Sequence, residues 1–291
     1  MQLMTTAEAA AYLRLRERKL YELIADRQIP CTKVTGRWLF SRADLDCWLL
    51  SGMARPEGMV PPEPPPIVGG SHDPLLQWAL TESRAGLAIL PEGSRAGYER
   101  FLKGEVVAAA IHFHDIDGDD ADANVAVVSQ EASLFDAVLL GFAAREQGLL
   151  VPAGNPLGLT GLAQAQNLRL IVRPDGAGAQ QLLQSLLKRA GLALSQFPHT
   201  VWASTGPDVA QAIRADRADC GIATRAVASA AGVGFVPLCF ERFDLLLRQR
   251  DYFRPPLQRL LALLTDRRFA AQASELGGFD VSAAGQVRWS P

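Results

Sequence analysis

Residues 4–24 read MTTAEAAAYLRLRERKLYELI, and this stretch decides how the first fifty or so residues are organised. Thr5 followed by Glu8 has capping-box spacing, in which each residue satisfies a backbone N–H of the other. Ala9, Ala10, Tyr12 and Leu13 then form a short apolar face, so a helix is expected over Thr6–Leu13. After the break Arg14-Leu15-Arg16, Leu20, Leu23 and Ile24 share one face of a second helix, with Arg18, Lys19 and Glu22 on the other. Two short helices with a tight connection make a helix-turn-helix.

Working outward, Ile29–Val34 and Arg37–Phe40 read as two strands joined by Thr35-Gly36, where glycine permits the positive φ of a tight hairpin. Ser41 with Asp44 is a second capping-box pair, opening a helix through Leu45, Trp48 and Leu49 that closes a miniature core by about Ser51. Helix, wing and helix in this order resemble the excisionase/MerR-like winged helix-turn-helix domains. The run Met4–Leu13, and Ile29-Pro30 leading to Gly36–Phe40, carry the resemblance. It implies that the second helix enters the major groove of double-stranded DNA, with Arg16, Arg18 and Lys19 near bases or phosphates. Lys33 and Arg37 of the wing would then lie on the backbone or minor groove.

Charge divides unevenly along the chain. Through Arg55 there are nine Lys/Arg against six Asp/Glu, or +3, so the overall −2 leaves −5 for the remainder. The small basic part is attracted to phosphates and the larger acidic part is not. Cys31, Cys47, Cys220 and Cys239 are widely spaced without a C-x-x-C motif, which fits reduced thiols rather than a disulfide framework or zinc site. Met1–Thr5 lacks the basic and apolar regions of a signal peptide, and no apolar run reaches spanning length, so no membrane is expected and the cytoplasm is the expected location. Between Pro56 and Pro66 six of eleven residues are proline, favouring a polyproline spacer of roughly 30 Å. The expected division is 1–52 for the winged module, 53–66 for the linker and 67–291 for the remainder.

From Ile67 onward, apolar runs alternate with helical periodicity. Ile67-Val68, Leu87–Leu90, Val106–Phe113, Ala137–Ala143, Leu168–Val172, Val201–Ala203 and Gly221–Ala223 read as strands, which makes an α/β sheet. Several strand-to-helix joints carry glycine or hydroxyl residues: Gly70-Ser71-His72-Asp73, Gly93-Ser94, Gly176-Ala177-Gly178 and Ser204-Thr205-Gly206. Helix starts of this kind present N–H donors and partial positive charge to anions.

Over residues 67–285 the chain resembles the type II periplasmic-binding-protein-like domains found fused to excisionase-type modules, relatives of molybdate- and tungstate-binding proteins. Gly70–Leu76, Arg145–Leu149 with Gly154-Asn155-Pro156, Arg217–Ala223 and Gly277–Val281 carry the resemblance, in the family's order. It implies two α/β lobes joined by crossing strands, lobe one from about residue 67 plus the chain's end and lobe two from about 145 to 240, closing over an oxyanion. Ser71, His72, Ser94, Gly176, Gly178, Ser204 and Thr205 are the expected ligand-binding residues. The sequence departs from the family after Gly178, where Ala179-Gln180 replace the usual hydroxyl residue and arginine.

His112-Phe113-His114-Asp115 places two imidazoles on one strand face, but without a third distant ligand it reads as an exposed strand end, and no metal is expected. Gly176-Ala177-Gly178 lacks the third glycine of a dinucleotide fingerprint. G-x-S-x-G, H-E-x-x-H and Walker A motifs are all missing, so no catalytic residue and no cofactor are expected. Together the resemblances imply a one-component transcription regulator that senses molybdate or tungstate and binds DNA as at least a dimer. Another small anion or carboxylate, or an excisionase-like architectural DNA binder with a non-sensing oligomerisation domain, is the alternative.

Overall fold

The computed structural model describes residues 3–52, 63–114, 122–197 and 199–291. The spacer expected over 53–66 falls largely outside these. The chain divides into two compact units, Met1–Pro62 with Val127–Asp136, and Glu63–Ala126 with Ala137–Ser290.

In the first unit the order is β1 (Leu3–Thr5), α1 (Thr6–Leu13), α2 (Glu17–Ala25), β2 (Thr32–Val34), β3 (Arg37–Ser41) and α3 (Arg42–Ser51). The Thr5–Glu8 capping box forms in both directions, and α1 begins and ends where its spacing predicts. At Ser41 only one half forms: its Oγ accepts from Asp44 N at 3.5 Å. Thr35 and Gly36 both take positive φ, 49° and 83°, as a two-residue hairpin turn matched to strand twist requires. A strand the sequence reading lacks, β1, pairs antiparallel with β3 and sets Met4 opposite Phe40. Phe40, Leu20, Leu45 and Ile24 form the small core with Ala9 and Ala10. Far along the chain, Val127–Asp136 joins this unit, with Cys47 Sγ 3.5 Å from the Ala132 carbonyl.

The second unit runs β4 (Ile67–Gly70), α4 (Pro74–Glu82), β5 (Ala88–Leu90), α5 (Ser94–Leu102), β6 (Ala108–Ile111), α6 (Ala123–Val128) and β7 (Ala137–Val151). It continues through β8 (Leu170–Val172), α7 (Gly178–Arg189), β9 (Thr200–Trp202), α8 (Gly206–Arg214), β10 (Gly221–Thr224), α9 (Arg225–Ala231) and β11 (Gly234–Arg248). Last come α10 (Gln249–Tyr252), α11 (Pro255–Leu264), α12 (Arg267–Leu276), β12 (Phe279–Asp280) and β13 (Val287–Trp289). Parallel strands β5, β4 and β6 lead into the antiparallel β11 and β7, and β10 lies on the far side of β7. β8 pairs with β9 in parallel and bridges Cys220 at the start of β10.

Two lobes follow, each with its own core. Val68, Leu76, Phe142, Phe243, Leu260 and Phe269 centre the first; Leu149, Leu170, Leu182, Ile213 and Val209 pack on the two faces of the second. The 15-residue strands β7 and β11 run through both lobes. Only the first half of β7 is expected from sequence and β11 not at all, because each apolar run is broken by charged residues at its middle.

Those charges meet one another. Arg145 lies opposite Glu241 in the β7–β11 register. Its Nε donates to Glu241 Oε1 at 2.7 Å and its Nη1 to Asp73 Oδ2 at 2.9 Å, while the guanidinium stacks 4.0 Å from the centre of the Phe243 ring. Asp73 is also the N-cap of α4, accepting from Leu76 N at 2.9 Å. All three are buried. Burial acts against the Arg145 cation, but Glu241 and Asp73 outweigh it and hold it above the ordinary arginine range. Replacing Arg145 with Met keeps volume but leaves two buried carboxylates uncompensated, a loss of about 3–5 kcal/mol. Arg145→Lys will not restore it, since an ammonium lacks the fork that reaches both acids. Urea unfolding of the two variants reads this directly, and midpoints within error of wild type would contradict it.

Candidate functional site

The lobes enclose a cleft of about 230 Å³. The chain turns from strand to helix repeatedly around it, and the local sequence explains how closely. Gly97 of α5 rests on β4, where an added Cβ would lie 2.4 Å from the Gly70 backbone. Gly70, at φ +122°, is itself pressed on the Ala110 carbonyl. Only glycines allow α5 to lie this near the end of β4, which brings Ser94 against Ser71.

Of the expected ligand residues, Ser71, His72, Gly178, Ser204 and Thr205 line the cleft. Ser94 stands behind them. It is fully buried, its Oγ lies 2.9 Å from Ser71 Oγ, and it accepts from His112 N at 2.9 Å. Gly176 is not among the lining residues; its space is bounded by the Arg95 side chain. Thr205 has a second task, capping α8 with Asp208, which also occupies its hydroxyl.

Four helices begin near the cleft but are not equivalent. α8 and α9 are closed by the side chains of Thr205 and Thr224, whereas α5 and α7, after Gly93 and Ala177, have no side-chain cap. The two uncapped starts approach from opposite lobes, since a Cβ on Gly93 would sit 3.8 Å from Ala177 Cα. Among the described residues, neither N-cap supplies a side-chain acceptor for the first-turn amides, although Gln180 N reaches the Ala177 carbonyl at 2.9 Å.

The residue that sequence reasoning undervalued is Arg173, at the end of β8. It lines the cleft and donates from Nη2 to the Ser204 carbonyl at 2.7 Å, but its buried Nε has no hydrogen-bond partner among the described residues. Burial pushes it down to about 10, with Asp208 pulling the other way. The sequence places Arg173, with Asp175, Thr224 and Arg225, near predicted strand ends where ligands commonly sit, but nothing local separates it from a surface cap or salt-bridge partner. Gln147 also lines the cleft. Its Nε2 donates to Glu241 Oε1 at 2.7 Å, and its buried Oε1 has no hydrogen-bond partner among the described residues.

His112 and His114 correct the sequence reading. They are buried rather than exposed, and Glu241, from a strand not expected in sequence, supplies the third group. Burial pushes His112 down to about 4 despite the neighbouring Glu241. Burial alone raises the Glu241 carboxyl, but the Arg145 guanidinium and the imidazole hydrogen bonds override it and hold the group well below the usual carboxylate range. Asp115 lies outside the described residues.

In the first unit Arg16, Arg18, Lys19, Lys33 and Arg37 are all exposed. Arg18 and Lys19 lie 3.4 Å and 3.3 Å from the two oxygens of Glu22, one turn on. Lys33 sits 5.2 Å over the Trp38 ring, which fixes the wing's cation on its own hairpin.

Known proteins repeat both parts of this arrangement. A helix-turn-helix domain family matches residues 3–53. YvgK of Bacillus subtilis (strain 168), described as uncharacterized, is 21% identical over 303 residues, covering 97% of this chain and 96% of its own. Two solved structures share the fold of the second unit. One is a candidate phosphate ABC transporter substrate-binding protein with bound phosphate from Clostridium perfringens, at TM-score 0.54 and 12% identity, covering 71% of this chain and 96% of that one. The other is the effector binding domain of a BenM variant, at TM-score 0.51 and 11% identity, covering 74% and 97%. No described helix is long and apolar enough to cross a membrane. The PBP superfamily domain matches residues 77–265, the greater part of the chain, and the protein therefore belongs to that superfamily, with a helix-turn-helix domain at its N-terminus.

Proposed function

We propose that this protein is a ligand-responsive transcription regulator whose N-terminal module binds double-stranded DNA and whose cleft takes a small anion. The observation that carries the anion is Arg173: a half-buried side chain whose buried Nε is unpartnered, with no carboxylate within salt-bridge distance among the described residues, and two helix starts without side-chain caps in the same cleft. An entering oxyanion would satisfy all three at once, because charge-assisted bonds and helix-end amides replace the water it loses. Ser71, Ser204 and Thr205 add hydroxyls on the same walls. Molybdate and tungstate, the ligands the family resemblance implies, are small enough for the cleft, and so are sulfate and phosphate.

A second reading of the ligand rests on Gln147. Its orphaned Oε1 asks for a donor, which a fully deprotonated oxyanion lacks and a hydroxycarboxylate or monoprotonated phosphate provides. Pro91, Pro174, Ala223 and Val227 give such a ligand's carbon atoms an apolar wall.

On DNA a single small winged module makes few contacts, so two copies on a palindromic site are expected to act together. Ligand capture would alter the equilibrium between arrangements of the pair.

Calorimetry of the full chain with molybdate, tungstate, sulfate, phosphate and small hydroxycarboxylates tests the cleft. One of them is expected to bind and raise the melting temperature, and Arg173→Ala to weaken it by about tenfold or more, as loss of a charged hydrogen bond does. If none binds, or Arg173→Ala binds like wild type, the cleft is not an anion site. Separately, replacing both Arg18 and Lys19 with Ala is expected to weaken operator binding and flatten its salt dependence while leaving calorimetry unchanged. Unaltered DNA affinity would place the recognition surface elsewhere.

A further inference from the structure

Just below the cleft, two imidazoles and a carboxylate converge. His112 and His114 follow β6 as alternate residues on one face, and Glu241 comes from the middle of β11. His112 Nδ1, His114 Nε2 and a Glu241 oxygen lie within 4.8 Å of one another. Glu241 Oε2 is 3.1 Å from His112 Nδ1 and 2.8 Å from His114 Nε2, and the three side chains are 6%, 0% and 2% exposed.

We propose that His112, His114 and Glu241 form a binding site for a divalent transition cation of the Zn²⁺ type, with its remaining coordination position toward the cleft. The donor set, two imidazoles and one carboxylate, is one that borderline-soft cations prefer and that leaves a fourth position open. The spacing suits it as well: bonds of about 2.0–2.2 Å place neighbouring tetrahedral ligands a little over 3 Å apart, so the two imidazole–carboxylate distances of 3.1 and 2.8 Å need open by only a few tenths of an ångström. Glu241 is already oriented, because its other oxygen is held by Arg145 Nε and Gln147 Nε2, both at 2.7 Å, and Oε2 is left to the imidazoles. Ligating carboxylates are fixed from behind in this way. His112 lines the cleft, which gives the fourth position its outlet, and Gly178 leaves room at that ring, where a Cβ would fall 2.3 Å from Nδ1. Charge points in the same direction: Asp73 and Glu241 set two buried carboxylates against the single Arg145 guanidinium, and a dication offsets the excess. The inference stands on this cluster and not on the anion reading.

The test is titration of the tag-free, chelator-treated full chain with Co²⁺, followed by visible absorption and calorimetry. The expected result is saturable uptake of one equivalent per chain with the intense absorption of a low-coordinate site. His114→Ala and Glu241→Gln are each expected to lower the affinity by at least about tenfold. His199→Ala, an exposed imidazole elsewhere, is expected to leave it unchanged. If one of the two ligand variants fails to fold by circular dichroism, the other decides. No saturable uptake by wild type, or wild-type affinity in the folded ligand variant, overturns the site and shows that hydrogen bonds alone hold the cluster. Anion calorimetry on the metal-free protein remains a separate readout, so the two proposals fail independently.

Discussion

The fold turns on one buried cation. Arg145 is placed where β7 passes from one lobe to the other, and a guanidinium there is tolerable only because two carboxylates from elsewhere in the chain reach it. Glu241 is 96 residues away in sequence and Asp73 is 72, so the contact closes two long loops of chain at a single point. Desolvating three charges is expensive, and their mutual attraction offsets this only with good geometry and satisfied lone pairs. Asp73 meets that condition by capping α4, and Glu241 by accepting from Gln147 and both imidazoles. What is fixed is therefore more than a salt bridge: it includes the start of α4, the register of β7 on β11 and the floor of the cleft.

That floor explains the asymmetry of the walls above it. A helix start facing solvent is satisfied by water, and one facing its own N-cap by a side chain. α8 and α9 follow the second course with Thr205 and Thr224. α5 and α7 have no side-chain cap, and their starts approach each other across the lobes. Leaving two amide clusters open in a narrow space costs stability, and an arginine with an idle Nε adds to the cost. Under the anion proposal, these are the donors a negative guest would meet.

How legible this was in the sequence depends on the range of the interactions. The limits of α1, the wing turn at Thr35-Gly36 and the short strands of the second unit follow from neighbours within a few residues, and local spacing finds them. β1 is three residues long and exists only because Phe40 and its neighbours on β3 accept it as a partner. β7 and β11 escaped for a related reason. Arg145-Glu146-Gln147 and Glu241-Arg242 interrupt the apolar runs on which local strand recognition depends, since their compensating partners lie far along the chain. The same distance hid Glu241 from His112 and His114 and made two buried imidazoles look like an exposed edge. In the cleft, Ser71, His72, Gly178, Ser204 and Thr205 were legible because glycines and hydroxyls mark helix starts. Arg173 was legible only as one of several strand-end residues, because what sets it apart is the partner its Nε lacks among the described residues.

The DNA-facing unit obeys a different economy. Arg18 and Lys19 share a counter-charge in Glu22. The side chains are 92% and 56% exposed, however, and in high-dielectric solvent such pairs contribute little and are screened by salt. If α2 meets DNA as proposed, exchanging Glu22 for a phosphate would cost these cations little, and counterion release would favour the exchange. Glu22 keeps the two cations spaced along α2 in free protein without holding them back. The remainder of the chain carries a net −5, so the net positive charge that would attract phosphates lies in the residues through Arg55.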